Sequence, residues 1–340
     1  MIRVGVIGGG LGLRCLIPKF NEIPEVTVVA FMSGHYRKAL EEAHRYHIRY
    51  VCRNIEEMCE LPLDLICVAS PTEFHYEQIS YIVKKNRNIL CEKPLALTLE
   101  ESNQIIDLFK STQNIALIDL ELRFHPYFAK IKELLMKSGR VYHIDIFFHS
   151  NIYQKEEIQN SWNYSVEKGG GIRLAMMPHL LDLLFFWIDK DCISMRSYLA
   201  AVANHSNVSD FCYTSLELED GITASLSASA VVEGDKNIEI RILTSEGMIE
   251  FDLQSGLQIN KNPVDVPLPD FFNSEESFFR SSFACYARAI SQMLKCRGTQ
   301  FDITTEDQMK KIHVILNDIK LSANTGKEIK YQKTNNNNNS

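Results

Sequence analysis

The sequence predicts an α/β protein: a doubly wound parallel sheet over the first third of the chain, joined to a second α/β domain with a large, mainly antiparallel open sheet. Three observations predict it. Short β-branched runs alternate with amphipathic helical stretches from residue 2 to about 122, the texture of a parallel sheet covered on both faces. A glycine-rich turn, "GGGLG", stands between the first such run and the first helical stretch, where a dinucleotide-binding βα unit needs one. After "GRVYHIDIFFHSNI" the runs lengthen, alternate apolar with polar, and are separated by Gly and Asp turns, as antiparallel strands are.

The elements follow in order. "RVGVIG", "VTVVAF", "LDLICVAS", "NILCE" and "IALIDL" read as the parallel strands, with helices around 12–22, 35–47, 73–86 and 98–111. "YTSLELEDGITASLSASAVVEG" and "IEIRILTSEGMIEFDLQSGLQI" supply antiparallel strands. Two helices near 275–297 and 304–323 close the chain, the second opened by the capping-type "TTEDQ". The boundaries are therefore drawn at 1–122 for the nucleotide domain, 123–333 for the second domain, and 334–340 for an Asn-rich polar tail expected to be disordered.

Composition narrows the function. At 340 residues and 45% hydrophobic content the chain can build two cores. Its net charge is −7 and no Lys/Arg-rich block interrupts it, which argues against a nucleic-acid or anionic-membrane partner. No apolar run approaches the roughly 20 residues of a membrane span, and Met1 leads straight into "IRVGVIG" without a signal-peptide layout, so a cytoplasmic protein is expected. Nine scattered cysteines without a C-x-x-C pair read as free thiols, and ten histidines without H-E-x-x-H spacing give no support to a metal.

In "VGVIGGGLGLR", Gly8 permits the tight turn and Gly10 lets a pyrophosphate approach the amides at the helix start, with Leu11 and Gly12 completing the loop. The third position of G-x-G-x-x-G falls on Leu13, so the match is partial, and a glycine turn without a ligand is the alternative. At the end of the second strand, where a carboxylate would bind the ribose 2′-OH, stands Ser33, followed by Gly34, Arg37 and Lys38. A small neutral residue beside positive charge leans toward NADP over NAD. NAD remains open, because Arg37 and Lys38 also read as a solvated helix start. His179 in "GGGIRLAMMPHLLDLLFFW" reads from local pattern either as a core histidine of a buried helix or as a general acid/base.

"VASPTEFHYEQI" followed by "NILCEKPLALTLEES" is the most specific text in the chain. With the glycine turn, "LRFHPYFAKIKELLMKSGRV", "GGGIRLAMMPHLLDLL" and "TTEDQMKKIHVILNDIKLSANTGKEI", it resembles the glucose–fructose oxidoreductase/inositol dehydrogenase (Gfo/Idh/MocA) family over about residues 2 to 331. The resemblance implies an N-terminal Rossmann domain, a C-terminal domain whose open sheet mediates homodimers or homotetramers, and a substrate cleft between the domains. It implies that Ser70, Pro71, Thr72 and His75 line the cofactor side, and that Glu92–Lys93–Pro94 sets Lys93 between nicotinamide ribose and substrate, after a cis bond to Pro94. An ammonium there would stabilise a developing alkoxide. Arg123 matches an arginine facing the cleft, His149 and Asn151 an H-x-N at the substrate site, and Trp162 a tryptophan near the cofactor. A strand-end His and Asn that merely cap a loop remain the alternative for the H-x-N.

By the same resemblance, His179 holds the acid/base position of a D-x-x-x-H helix, and the aspartate position falls on Ala175. Asp182, one turn on, follows the family's H-x-x-D pattern and orients the helix. The implied function is an NAD(P)-dependent oxidoreductase moving hydride to or from a sugar, nucleotide-sugar or cyclitol carbon. The missing carboxylate keeps a second reading in play, a catalytically silent dinucleotide- or sugar-sensing regulator on the same fold. A reductase of a non-carbohydrate carbonyl or imine is a third, less well matched to the polar pair His149 and Asn151.

Overall fold

The computed structural model describes residues 1–151, 164–202, 208–232, 237–273, 276–296 and 300–332. Trp162 and the Asn-rich tail lie outside them. The chain divides into two compact units, Met1–Phe128 with Pro267–His313, and Ala129–Val266 with Val314–Ser340.

The first unit is built on six parallel strands: β1 (Ile2–Ile7), β2 (Val26–Met32), β3 (Tyr50–Cys52), β4 (Leu65–Val68), β5 (Ile89–Glu92) and β6 (Ala116–Asp119). Their order is β3-β2-β1-β4-β5-β6, so the direction of winding reverses between β1 and β4. That reversal opens a crevice at the carboxyl ends of the strands, where this architecture binds ligands. Every residue of β4 and β5 is buried, which is why both read as continuous apolar runs rather than alternating ones. The helix Leu99–Ser111 turns Ile105, Ile106 and Phe109 inward and is capped by Thr98, whose side chain accepts from Glu101 N at 3.2 Å.

Two features of this unit escaped the sequence reading. β3 is three residues long, two of them half-exposed, too little text to register as a strand. Residues 267–313 belong to the first unit rather than continuing the second. The helix Phe278–Lys295 places Phe283, Tyr286, Ala287 and Ile290 in the same core as Val4, Phe20 and Phe31. Tyr286 stacks on Phe124 at 4.3 Å and donates its hydroxyl to Ile118 O at 2.9 Å. An apolar helix face announces that it will be buried but not against which sheet.

The second unit carries β7 (Val141–His149), β8 (Cys192–Ala200), β9 (Phe211–Leu218), β10 (Thr223–Ser229), β11 (Asn237–Thr244), β12 (Gly247–Asp252), β13 (Gly256–Ile259), β14 (Asn262–Pro263) and β15 (Ile329–Lys330). They form one sheet in the order β14-β13-β12-β11-β7-β10-β9-β8-β15, with β7 and β10 parallel and the other pairs antiparallel. Ile144, Ile146 and Phe148 of β7, Ala224, Leu226 and Ala228 of β10, and Ile238, Ile240 and Ile242 of β11 fill one face. The helix Ile172–Trp187 packs against β7, β9 and β10, and apart from Arg173 and Ala175 every one of its residues is buried. The opposite face carries His143, Asp145, Arg196, Tyr213, Ser215, Thr223 and Ser225. A large mainly antiparallel sheet with one covered face is thus what the alternating text predicted. No helix among the described residues is long and apolar enough to cross a membrane.

Candidate active site

The glycine turn lies at the carboxyl end of β1, at the switch point. Gly8 has φ +122°, and a Cβ there would stand 2.0 Å from Ala69 O at the end of β4, so only glycine fits the closest approach of these two strand ends. Around Gly10 nothing lies within 4 Å of where a Cβ would be, leaving its backbone open to a ligand. A Cβ on Gly12 would meet Val6 Cγ1 at 2.9 Å. The close helix–strand packing usually given to the third glycine is therefore performed by Gly12, one residue before the expected position, and Leu13 is free to be a buried apolar residue. The segment Gly12–Leu16 is wound as a π-helix before the α-helix Ile17–Asn21; Leu11 is exposed. This cradle fits a dinucleotide pyrophosphate on geometry alone.

Ser33 follows β2 and lies against the turn, its Cβ 3.4 Å from where a Cβ of Gly9 would be. Gly34 has open space around it, and Arg37, early in the helix Tyr36–Arg45, is exposed with no ion-pair partner among the described residues. The end of β2 therefore holds no carboxylate at residue 33, with the exposed Arg37 four residues on.

After β4, Ser70 Oγ donates to Gln78 Oε1 at 2.6 Å, Pro71 is exposed and Thr72 is buried at the start of a short turn. His75 is a correction to the sequence reading. It is 1% exposed, with Nε2 3.0 Å from Ser70 O and Nδ1 3.2 Å from both Pro94 O and Leu95 O. Burial lowers its pKa, opposed by the carbonyls of Ser70, Leu95 and Pro94. Rather than lining a ligand surface, it ties the turn after β4 to the segment after Lys93. The Lys93–Pro94 bond is cis, as the resemblance implied.

Lys93 directly follows β5 at the same sheet edge as the glycine turn. Burial pulls its ammonium below the ordinary lysine range, opposed by the negative charge of Glu92, Glu121 and Asp119. Glu92 Oε2 accepts the Lys93 backbone N–H at 3.2 Å. Asp119 and Glu121, at the end of β6 and just beyond, are buried beside this pair, and the sequence reading passed over both. "IDLELRF" did carry the signal: a buried strand that ends on a carboxylate, with another two residues later.

Arg123 is a second correction. It is 3% exposed, and Nη1 donates to Asp302 O at 3.1 Å while Nη2 donates to Gln308 Oε1 at 3.3 Å. The guanidinium is a strut that ties the end of the first sheet to the returning segment. An Arg thirty residues after a catalytic-type lysine looks the same in sequence whichever way it points.

In the second unit, His149 ends β7. Its ring lies 5.3 Å from that of Phe147, and Nδ1 is buried with no hydrogen-bond partner among the described residues. Ser150 N donates to Ser229 O at 2.9 Å, fixing the strand end from which Asn151 emerges, partly buried. His179 sits mid-helix in Ile172–Trp187 at 3% exposure, and Asp182 is fully buried one turn on. Pro178, just before the histidine, supplies no N–H to the Leu174 carbonyl. Ala175 stands in the first turn of this helix and brings no polar group.

Two family models cover most of the chain: residues 2–120 match the oxidoreductase family model with an NAD-binding Rossmann fold, and residues 128–250 match the GFO/IDH/MocA C-terminal domain. The chain belongs to the Gfo/Idh/MocA oxidoreductase family. An uncharacterized oxidoreductase of Synechocystis sp. is 25% identical over 79% of this chain and 78% of its own length. A scyllo-inositol 2-dehydrogenase (NADP(+)) of Bacillus subtilis is 24% identical over 57% of this chain and 56% of its own. The fold is shared with myo-inositol 2-dehydrogenase from Lactobacillus plantarum (TM-score 0.80, 22% identity, 97% of this chain and 99% of that one). It is shared equally with levoglucosan dehydrogenase in complex with NADH and levoglucosan (TM-score 0.81, 17% identity, 97% and 99%). Both the glycine turn and the E-K-P element of this chain lie within residues 2–120, the part matched by the NAD-binding Rossmann model.

Proposed function

We propose that this family member transfers hydride between a nicotinamide dinucleotide and a carbinol carbon of a sugar, nucleotide-sugar or cyclitol, with NADP preferred. The observation that carries the reading is Lys93, a lysine of lowered pKa in a carboxylate surround at the sheet edge that also holds the glycine turn. Gly8, Gly10, Leu11 and Gly12 would hold the pyrophosphate, Ser33 and Arg37 the adenosine ribose end, and Ser70, Pro71, Thr72 and Glu92 the nicotinamide side. The dinucleotide, when bound, supplies or accepts the hydride.

The residues do the rest. Lys93 donates a hydrogen bond to the reacting oxygen and stabilises alkoxide character as it develops. His179 exchanges that hydroxyl's proton, the work of a general acid/base. His149 and Asn151 bind neighbouring hydroxyls. Two similar proteins support the substrate class, being by name dehydrogenases of inositols. The NADP reading draws on the neutral Ser33 and the unpaired Arg37.

The test is a turnover screen with NADP+ and NAD+ against sugars, nucleotide-sugars and inositols; oxidation of at least one polyol is expected, faster with NADP+. The second reading, a silent sensor, is favoured by Ala175, which leaves His179 without the carboxylate of its motif. It predicts tight dinucleotide binding with no turnover in the same screen. Self-association through the polar open face of the nine-stranded sheet belongs to this proposal, and light scattering should return a dimer or tetramer mass.

A further inference from the structure

Glu92 and Asp119 are the last residues of adjacent parallel strands and stand in register with each other. They are 8% and 3% exposed. Glu92 Oε2 is occupied by the Lys93 N–H. Glu92 Oε1 and Asp119 Oδ1 are buried and receive no N–H or hydroxyl hydrogen from any described residue. Two ionised carboxylates placed this way would repel each other across a strand spacing, and the Lys93 ammonium beside them offsets only part of the cost, since burial still raises both carboxyls. One proton between them removes the repulsion and gives the stranded oxygens a bond.

Lys93 and Glu121 flank the pair along the chain; the thiols of Cys67 of β4, Cys91 of β5 and Cys15 of the segment Gly12–Leu16 lie within electrostatic reach of it, and Arg280 of the helix Phe278–Lys295 acts on Cys15. Burial raises all three thiols, so they add no charge. Among the described residues no group of three or more His, Cys, Asp and Glu is arranged to hold a metal ion.

We propose that Glu92 and Asp119 share one proton, carried by Asp119 and donated to Glu92, and that Asp119 thereby acts as a positioning residue for Lys93. The role for Lys93 rests on the function proposed above; the shared proton does not. Burial, and after it the charges of Glu92 and Glu121, hold the Asp119 carboxyl well above the usual carboxylate range. Glu92 is also raised by burial but is eased down by the bond from Asp119. Both trends leave the proton on Asp119. The Glu92 carboxylate then has a donor on each oxygen, the Lys93 N–H on one side and the Asp119 O–H on the other, and cannot rotate away from the lysine. The pair presents one negative charge to the ammonium instead of two, so the lysine is paired without being driven back to its solution pKa.

The experiment uses the whole protein without substrate. At neutral pH, infrared spectroscopy should show the C=O band of a protonated buried carboxyl, moved by 13C-aspartate labelling and not by 13C-glutamate. Asp119→Asn should abolish that band. Because a neutral donor replaces a neutral donor, it should also leave the pKa of Lys93 where it is in the wild type, read by NMR of 13Cε-lysine and assigned by loss of the signal in Lys93→Arg. Absence of the wild-type band, or its movement with labelled glutamate, would overturn the proposal. So would a fall in the Lys93 pKa in Asp119→Asn, because it would mean that an ionised carboxylate had been removed. The labelling result on wild-type protein stands even if the variant fails to fold, and none of these readings depends on finding a substrate.

Discussion

On the function proposed above, cofactor choice turns on Ser33. It lies against the glycine turn, where a carboxylate would accept the ribose hydroxyls and repel a 2′-phosphate, while Arg37 is exposed and without an ion-pair partner among the described residues. NADPH should therefore bind at least several-fold tighter than NADH in a fluorescence titration, and Ser33→Asp should invert that order. Equal affinities in the wild type would contradict the assignment. At this scale the sequence was legible where local geometry is tied to a fixed spacing: the glycine turn at the end of β1 and the cis bond before Pro94 could both be read. It was not legible where burial decides. Nothing in the letters says that His75 and Arg123 turn inward to bind carbonyls, or that Asp119 comes into register with Glu92, because those facts depend on strand pairing and on which segment returns to cover the sheet.

The decisive element is the βα turn after β1. Gly8 combines a left-handed φ with an approach to Ala69 O that no Cβ allows, whereas Gly12 meets only the movable Val6 side chain. Gly8→Ala should abolish dinucleotide binding and cost more stability than Gly12→Ala, at least about 1–3 kcal/mol by the usual scale of backbone strain. Urea unfolding and NADPH titration of the two variants check the order; a tolerated Gly8→Ala would show that β1 and β4 can part at the switch point without loss. The helix Ile172–Trp187 teaches the complementary lesson. Its all-round apolar character was plain from the text, yet periodicity carries no direction for His179, since a helix buried on every side has no polar face to mark a site.

Across the whole molecule, residues 267–313 return to the unit that begins at Met1, which no change of texture in the sequence announces. That return brings His313 to Leu95: its Nδ1–H donates to Met309 O at 2.7 Å and its Nε2 accepts from Leu95 N at 3.2 Å. The arrangement requires a neutral ring, and burial lowers its pKa to about 4. His125, stacked on Phe278 at 4.0 Å, is lowered by burial to about 3. Both folded-state values lie below the unfolded histidine value of about 6.5. Their contribution to stability is therefore complete above that pH and is lost as pH falls toward 4 and 3, each histidine adding a slope of about 1.4 kcal/mol per pH unit within its window. Urea midpoints measured between pH 7 and 4 should fall less steeply for His313→Gln than for the wild type. Identical slopes would mean that this ring is protonated in the fold.

The central claim is that Lys93 handles the reacting oxygen during hydride transfer. Single-turnover absorbance at the reduced nicotinamide, with a polyol substrate, measures that step directly in the wild type, Lys93→Met and His179→Ala. The account predicts a loss of about 10²–10⁴-fold in the hydride-transfer rate for each variant, the usual scale for acid/base catalysis, with NADPH affinity nearly unchanged in His179→Ala. Wild-type rates in Lys93→Met, or tight NADPH binding by a wild type that turns over no polyol, would contradict it.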